Sequence, residues 1–425
     1  MRRTPARRIV IIGGGFAGLH LIRRLEGRLR PGEAEITLVD RQNFHLFTPL
    51  LYQVATGELP EHAVAYPLRR ATVPARVRFV QTEVRSVDLS GRSIGTADGL
   101  LPYDHLVLAP GAVTNDFGIP GVRERALPMK TLADAKAVRS RILSCFEKAA
   151  ATDDAAVRKR LLTFVLIGAG PVGVELAASL RDLIDHTLAP MYPGLDPRRG
   201  VEIVLIDGSD RVIPAMHPRL SAIAQRRLDV LRVRTVLKTF VSEVADGVVL
   251  TKDGARFHGD TVVWAGGVKT HPLVASLEGV PHAKDGRLIV DEMFRVGGRD
   301  DLFCIGDAAA YEHRGKLLAQ LAQVAVLQAP HLADDLARLV RDRPLVPYVH
   351  HPKGDLIALG RTSAGAHMRR LGPLPTGDLV FGGLPAWTVW RVNYLMQLLG
   401  VRNRASLFTE WTLSFFFSRM VANTP

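Results

Sequence analysis

One element occurs twice in this chain. The run Ile9-Val10-Ile11-Ile12-Gly13-Gly14-Gly15-Phe16-Ala17-Gly18-Leu19 is matched by Phe164-Val165-Leu166-Ile167-Gly168-Ala169-Gly170-Pro171-Val172-Gly173-Val174. Each copy is followed by an apolar run ending in an acid, Ile36 to Asp40 and Ile203 to Asp207, and closed by another, His105 to Gly111 and Thr261 to Gly267. Three elements in one order, offset by 155 to 167 residues, predict one βαβ fold built twice. Runs of mostly β-branched residues without polar alternation suit strands buried on both faces of a parallel sheet. Helices are expected from Gly18 to Arg30 and from Gly173 to His186. The prolines and glycine between Asp185 and Gly200 predict an irregular loop after the second helix.

The glycine spacing carries chemistry. In Gly13-x-Gly15-x-x-Gly18 the first glycine makes a turn, the second lets the backbone approach a pyrophosphate, and the third brings helix and strand together. The positive end of the following helix then faces the phosphates. Asp40 stands where an acid binds ribose hydroxyls, and Gly168-x-Gly170-x-x-Gly173 with Asp207 repeats the arrangement. An acid repels a 2′-phosphate, so Asp207 favours NADH over NADPH; the alternative is a surface Asp capping a strand. Two dinucleotide folds imply two dinucleotides, a bound flavin and an exchangeable nicotinamide, with hydride transfer between them. The turn Ile305-Gly306-Asp307 ends a further apolar strand and can offer an acid to the flavin.

Composition narrows the rest. With 425 residues, 47% hydrophobic and 23% charged, the chain is an ordinary globular protein of at least two cores. Its longest stretch free of Asp, Glu, Lys and Arg, Leu317 to Ala333, holds three Gln and a Pro, so no membrane-spanning helix is expected. Arg2, Arg3, Arg7 and Arg8 before an apolar run look like a secretory signal, but that run passes directly into Gly13-Gly14-Gly15, which fits a strand better. Cys145 and Cys304 alone make no disulfide framework and point to a reducing compartment; both sit in apolar runs and read as packed thiols. Lys plus Arg number 55 against 42 for Asp plus Glu, a net +13 that suits either a solvated Arg-rich surface or anionic lipid, with nucleic acid not expected. His350-His351 lacks partners at ligand spacing, and no metal is assigned.

Four motifs, together with Ile305-Gly306-Asp307, now point to a family. Asn43-Phe44-His45-Leu46-Phe47-Thr48-Pro49-Leu50-Leu51-Tyr52-Gln53-Val54-Ala55, Trp264-Ala265-Gly266-Gly267-Val268, Ile357-Ala358-Leu359-Gly360-Arg361 and Gly400-Val401-Arg402-Asn403-Arg404 closely resemble the type II NADH:quinone oxidoreductases, the alternative NADH dehydrogenases. The resemblance runs from Arg8 to Arg419. It implies an α/β chain of the two-dinucleotide-binding flavoprotein type: FAD on Gly13, Gly15, Gly18, Asp40, Gly111 and Asp307, and NADH on Gly168, Gly170, Gly173, Asp207 and Gly267. It further implies two-electron transfer through the flavin to a membrane quinone, without proton pumping. The family's AQxAxQ motif reads Ala322-Gln323-Val324-Ala325-Val326-Leu327-Gln328, so Gln323 and Leu327 take the quinone positions, with Arg404 near the quinone entrance. Glu175 matches the family's Gly-x-Glu-Leu acid and would relay a proton; the alternative is first-turn helix stabilisation. The family's second Glu is Ser179 here, and its Thr before Gly111 is Pro110. His45 either touches flavin or is structural.

The expected boundaries are 1–115 and 286–343 for the FAD fold, 116–160 for a connecting helical segment, 161–285 for the NADH fold and 344–425 for an anchoring region. From Leu384 to Met420, Trp387, Trp390, Tyr394, Leu407, Phe408, Trp411, Phe415 and Phe416 recur at helical intervals among Arg391, Arg402, Arg404 and Arg419. Such helices lie in a bilayer interface without spanning it, and the surface expected here is the cytoplasmic face of the membrane. The same stretch also suits a core or dimer helix, and a homodimer is compatible with the membrane role. Two rival functions are a sulfide:quinone oxidoreductase, which needs paired nucleophilic cysteines near the flavin, and a non-catalytic NADH-binding redox sensor.

Overall fold

The strand leading into each glycine turn is the middle of a five-stranded parallel sheet. The computed structural model describes residues 6–73, 76–369, 378–419 and 421–422; Arg2, Arg3 and Met420 lie outside the described residues. The chain divides into two compact units, Met1–Leu46 with Ala65–Val113 and Val268–Pro352, and Phe47–Val64 with Thr114–Gly267 and Lys353–Pro425. Residues 268–285 thus cluster with the first unit and 47–64 with the second.

In the first unit the sheet runs Leu302–Cys304, His105–Leu108, Arg7–Ile12, Ala34–Asp40, Arg78–Gln81. In the second it runs Leu127–Pro128, Thr261–Trp264, Thr163–Ile167, Glu202–Ile206, Val233–Val236. Registers correspond, Ile9 lying between Ile36 and His105, and Phe164 between Ile203 and Thr261. Ile9, Ile11, Phe164 and Val165 are fully buried, as strands covered on both faces require. The duplication goes further than the glycine motifs indicate. Each unit adds a three-stranded antiparallel sheet, Val84–Asp88, Ser93–Thr96 and Gly99–Pro102 in the first, and Val241–Ala245, Val248–Thr251 and Arg256–His258 in the second.

The helices start earlier than predicted. They span Phe16–Glu26 and Pro171–Leu183, because the middle glycine is itself the N-cap and the third lies inside the helix. Pro171 suits the first helical position, where no backbone N–H is needed. The expected irregular loop after Asp185 is a series of helical turns, Ile184–Leu188, Ala189–Met191, Pro193–Leu195 and Pro197–Gly200. Proline stands first or second in each of the last three, which converts a breaker-rich sequence into short caps rather than loop. In the first unit helix Ala322–Leu339 packs on helix Phe16–Glu26.

The C-terminal part of the second unit opens with an antiparallel sheet, Gly354–Ala358, Ala364–Met368 and Leu379–Gly383. Helices Leu384–Gln397 and Val401–Phe416 follow. Each buries a narrow stripe, Ala386 and Trp390 in one, Leu407 and Trp411 in the other. No described helix is long and apolar enough to cross a membrane.

Candidate active site

Both glycine turns are built on the same plan. Gly13 and Gly168 have φ of +104° and +108°, a region that glycine occupies without strain. A methyl group on either would meet the carbonyl oxygen of Ala109 at 2.2 Å or of Ala265 at 2.3 Å. One on Gly18 or Gly173 would stand 1.9 Å from the carbonyl oxygen of Gly13 or Gly168. The middle glycines differ: beside Gly15 and Gly170 the space is open to 4 Å, and neither helix N-terminus carries a side-chain cap. Open room above uncapped backbone N–H groups fits a pyrophosphate at both turns.

The two acids clamp these turns in the same way. Asp40 accepts the Gly14 N–H at 2.6 Å and the Gln42 N–H at 2.7 Å. Asp207 accepts the Ala169 N–H at 2.6 Å and the Ser209 N–H at 2.7 Å. Burial nevertheless raises the Asp40 carboxyl above the ordinary range. His45 completes the first turn, its Nδ1 lying 3.2 Å from the Gly14 carbonyl oxygen and its ring meeting Phe16 edge-on at 4.8 Å. Burial pushes its pKa down to about 4, so it is neutral and donates through Nδ1–H. Gly111 and Gly267 both have positive φ, +74° and +131°. Asp307 is half-buried in the turn Gly306–Ala308, and its carbonyl accepts from the Gln320 amide at 2.9 Å.

The helix Ala322–Leu339 explains the displaced glutamine. Gln328 is 1% exposed and accepts the Gly306 N–H at 2.7 Å, holding the turn that carries Asp307. Gln323 and Leu327, four residues apart, are only partly buried and share another face.

In the second unit Glu175 lies inside the helix Pro171–Leu183, with Oε1 accepting the Ala358 N–H at 3.0 Å. Burial raises its pKa to about 8, so the carboxyl is largely protonated at neutral pH. Its charge would be felt by Tyr52 and Tyr394, whose phenols burial raises far above the ordinary range. A nearby cavity is lined by Tyr52, Gln53, Glu58, Ser179, Ala358, Gly360, Trp387, Trp390 and Arg391. Gln53 ties the signature run to the last helix, accepting the Trp411 indole N–H at 2.9 Å. Arg391 lies over two indoles, 4.0 Å from the Trp387 centroid and 4.9 Å from that of Trp411, and burial lowers its pKa to about 10. Arg391 Nε and Trp390 Nε1 are buried without a hydrogen-bond partner among the described residues.

The arginines expected to face lipid mostly turn inward. Arg419 pairs with Glu58 at 3.0 Å, both side chains nearly buried, and donates to the Thr56 carbonyl and to Ser179. Ser179, in the family's second Glu position, also shares a 2.7 Å hydrogen bond with Thr56. Arg404 donates to the Leu398 and Met396 carbonyls at 2.8 and 2.9 Å, closing the end of the preceding helix. Arg402 alone of the four is exposed. Sequence reasoning missed one polar cluster, in which ligand atoms of His217, His367 and Asp378 lie within 4.8 Å of one another. The His367 Nδ1 lies 3.2 Å from Asp355 and its Nε2 2.9 Å from Asp378, so two carboxylates flank a buried imidazole.

Cys145 is 2% exposed beside Thr261, and Cys304 is fully buried in its strand. Burial raises both thiols, so neither is poised as a nucleophile.

Comparison with known proteins agrees with this geometry. Residues 7–329 match the pyridine nucleotide-disulphide oxidoreductase family, and residues 353–420 the NDH2 C-terminal domain. The chain is 35% identical over 426 residues to the type II NADH:quinone oxidoreductase NdhA of Mycobacterium tuberculosis, covering 96% of this chain and 87% of that protein. Among solved structures, NDH2 of Plasmodium falciparum in complex with NADH superposes with a TM-score of 0.86 at 20% identity, over 97% of this chain and 99% of that one. The sulfide:quinone oxidoreductase of Aquifex aeolicus gives 0.74 at 18% identity, over 97% and 96%. At such identities the two structures speak for a shared fold. The family match, the length of the 35% identity and the doubled, acid-clamped glycine turn together show that the chain belongs to the type II NADH:quinone oxidoreductases.

Proposed function

We propose that this protein holds FAD on its first dinucleotide turn, receives NADH on the second, and passes two electrons to a membrane quinone without pumping protons. The observation that carries the reading is the identical build of the two turns, each with an open middle glycine and a clamped acid. Bound FAD supplies a carrier that accepts hydride from NADH and returns the electrons to quinone.

The chain's own residues do the rest. The helix N-termini behind Gly15 and Gly170 hold pyrophosphates, while Asp40 and Asp207 retain lone pairs for ribose hydroxyls. Gly111 and Asp307 serve the flavin, and Gly267 the nicotinamide cofactor. Glu175, protonated at neutral pH, carries one of the two protons that a reduced quinone takes up. Trp390 Nε1 and Arg391 Nε are two buried donors on the cavity wall, and a quinone oxygen is an acceptor of matching kind. Gln323 and Leu327 offer a second contact surface for quinone. Arg404 serves quinone entry through the helix end that it closes.

Membrane contact falls to the helix pair. Leu384, Val392, Met396, Val401, Phe408, Phe416 and Phe417 are all exposed. This face binds the cytoplasmic surface of the membrane chiefly by apolar burial. Preference for anionic lipid rests on Arg402 and the net charge of +13, because Arg391, Arg404 and Arg419 are engaged within the protein.

The test is spectroscopic. Purified protein should be yellow, bleach on addition of NADH and regain its colour with a short-chain quinone. Bleaching without recovery would favour the redox-sensor reading.

A further inference from the structure

We infer that Phe240 is the platform on which the adenine ring of NADH stacks. This rests on the reading that the second unit receives NADH. Beyond the end of strand Glu202–Ile206, the turn Asp207-Gly208-Ser209 is laced to the residues that follow strand Val233–Val236. The Lys238 N–H donates to the Ser209 carbonyl at 2.8 Å, and the Thr239 N–H to the Asp207 carbonyl at 3.0 Å. This lacing sets the next residue, Phe240, against Gly208. A methyl group on Gly208 would stand 2.4, 2.7 and 2.8 Å from Cε1, Cδ1 and Cζ of the ring, so the missing side chain is what seats the phenyl there.

A ring seated so closely is nevertheless 58% exposed. It contributes little to the core and offers a large apolar surface to water, at the carboxyl ends of parallel strands where dinucleotides bind. Asp207, the acid expected at the ribose, is separated from the ring by the one glycine that seats it. The adenine lies next to that ribose along the cofactor, and a flat base is the occupant such a ring takes, since every base has a π-face that stacks on an aromatic. Lys252 is anchored beside it, its N–H donating to the Phe240 carbonyl at 2.8 Å and its Nζ lying 5.6 Å from the ring centroid. Its long stem lets the base displace this exposed cation–π contact.

The experiment compares donors and a competitor on the full-length, flavin-loaded enzyme with a short-chain quinone. Phe240→Ala should raise KM for NADH about tenfold. It should also weaken inhibition by ADP-ribose, which carries the adenine half alone, about tenfold. The KM for reduced nicotinamide mononucleotide, which lacks that half, should change far less. Phe240→Tyr, which keeps a ring, should restore both NADH and ADP-ribose binding. Equal changes for NADH and the mononucleotide, or unchanged inhibition by ADP-ribose, would overturn the platform while leaving the NADH reading in place. A parent enzyme that does not oxidise NADH would overturn that reading itself, and the platform with it.

Discussion

Glu175 accepts one hydrogen bond, at 3.0 Å, from the N–H of Ala358, 183 positions further along the chain. That single bond does not offset burial, and the carboxyl titrates near 8 instead of 4.5. An acid raised in this way is charged in the unfolded chain but neutral in the folded one between these two values. Its contribution to stability is therefore complete below about pH 4.5 and is lost as pH rises through 8. Each unit of the shift corresponds to about 1.4 kcal/mol. Glu175→Gln should remove that loss, flattening the melting temperature between pH 5 and 8. In stopped flow the same change should slow flavin reoxidation by quinone about a hundredfold or more, the value of a general acid. It should also abolish the decline of the parent's rate above pH 8. A variant that reoxidises like the parent at every pH would remove Glu175 from proton delivery.

The two glutamines of helix Ala322–Leu339 should separate cleanly. Gln323→Ala should slow reoxidation by quinone and spare reduction by NADH. Gln328→Ala leaves the buried Gly306 N–H without its acceptor, which costs about 1–3 kcal/mol. It should lower the melting temperature and loosen flavin before it touches either half-reaction. Calorimetry and flavin release measure the difference.

Donor choice follows from the second acid. NADH should be preferred over NADPH by at least tenfold in catalytic efficiency, about 1.4 kcal/mol, because the carboxylate repels a 2′-phosphate. Equal efficiencies would take Asp207 out of that role.

Membrane binding should depend on exposed rings more than on charge. Phe408 and Phe416 are 61% and 72% exposed, so replacing both with Ser should leave the melting temperature in place. Each ring buried in lipid contributes roughly 1.5–3 kcal/mol, and the double variant should pellet with vesicles at least tenfold less well. Salt should have a smaller effect. Deleting Leu384 to Pro425 is a poor test, because it would also remove Trp411 from Gln53 and Arg419 from Glu58. If the double-serine variant still sediments with vesicles like the parent, the anchor lies elsewhere.

The glycine turns could be read from sequence because their backbone needs are local, and their acids and buried strands because the same order of elements occurs twice. Gly13 needs its φ and Gly18 its missing Cβ whatever the rest of the chain does. The C-terminal arginines could not be read that way. Helical spacing gave their periodicity but not the long-range partners that turn Arg391 onto two indoles and Arg419 onto Glu58, 361 positions away. Gln328 shows the same limit over one residue: the motif pointed to position 327, while the hydrogen bond to Gly306 belongs to the buried face at 328. Phe240 carries no motif, and its place beside Gly208 depends on two backbone bonds between adjacent strand ends.

The packing of Arg391 against Trp387 and Trp411 has an optical consequence. Three of the four tryptophans sit in the C-terminal helix pair, and the fourth, Trp264, is 3% exposed with its indole N–H bonded to the Asn115 carbonyl at 2.7 Å. Three of the four tryptophan emitters of ultraviolet-excited fluorescence therefore lie in the helix pair. A shift of its maximum on mixing with vesicles or quinone would report on that region without any attached label, and replacing Trp264 by Phe would leave a signal confined to it.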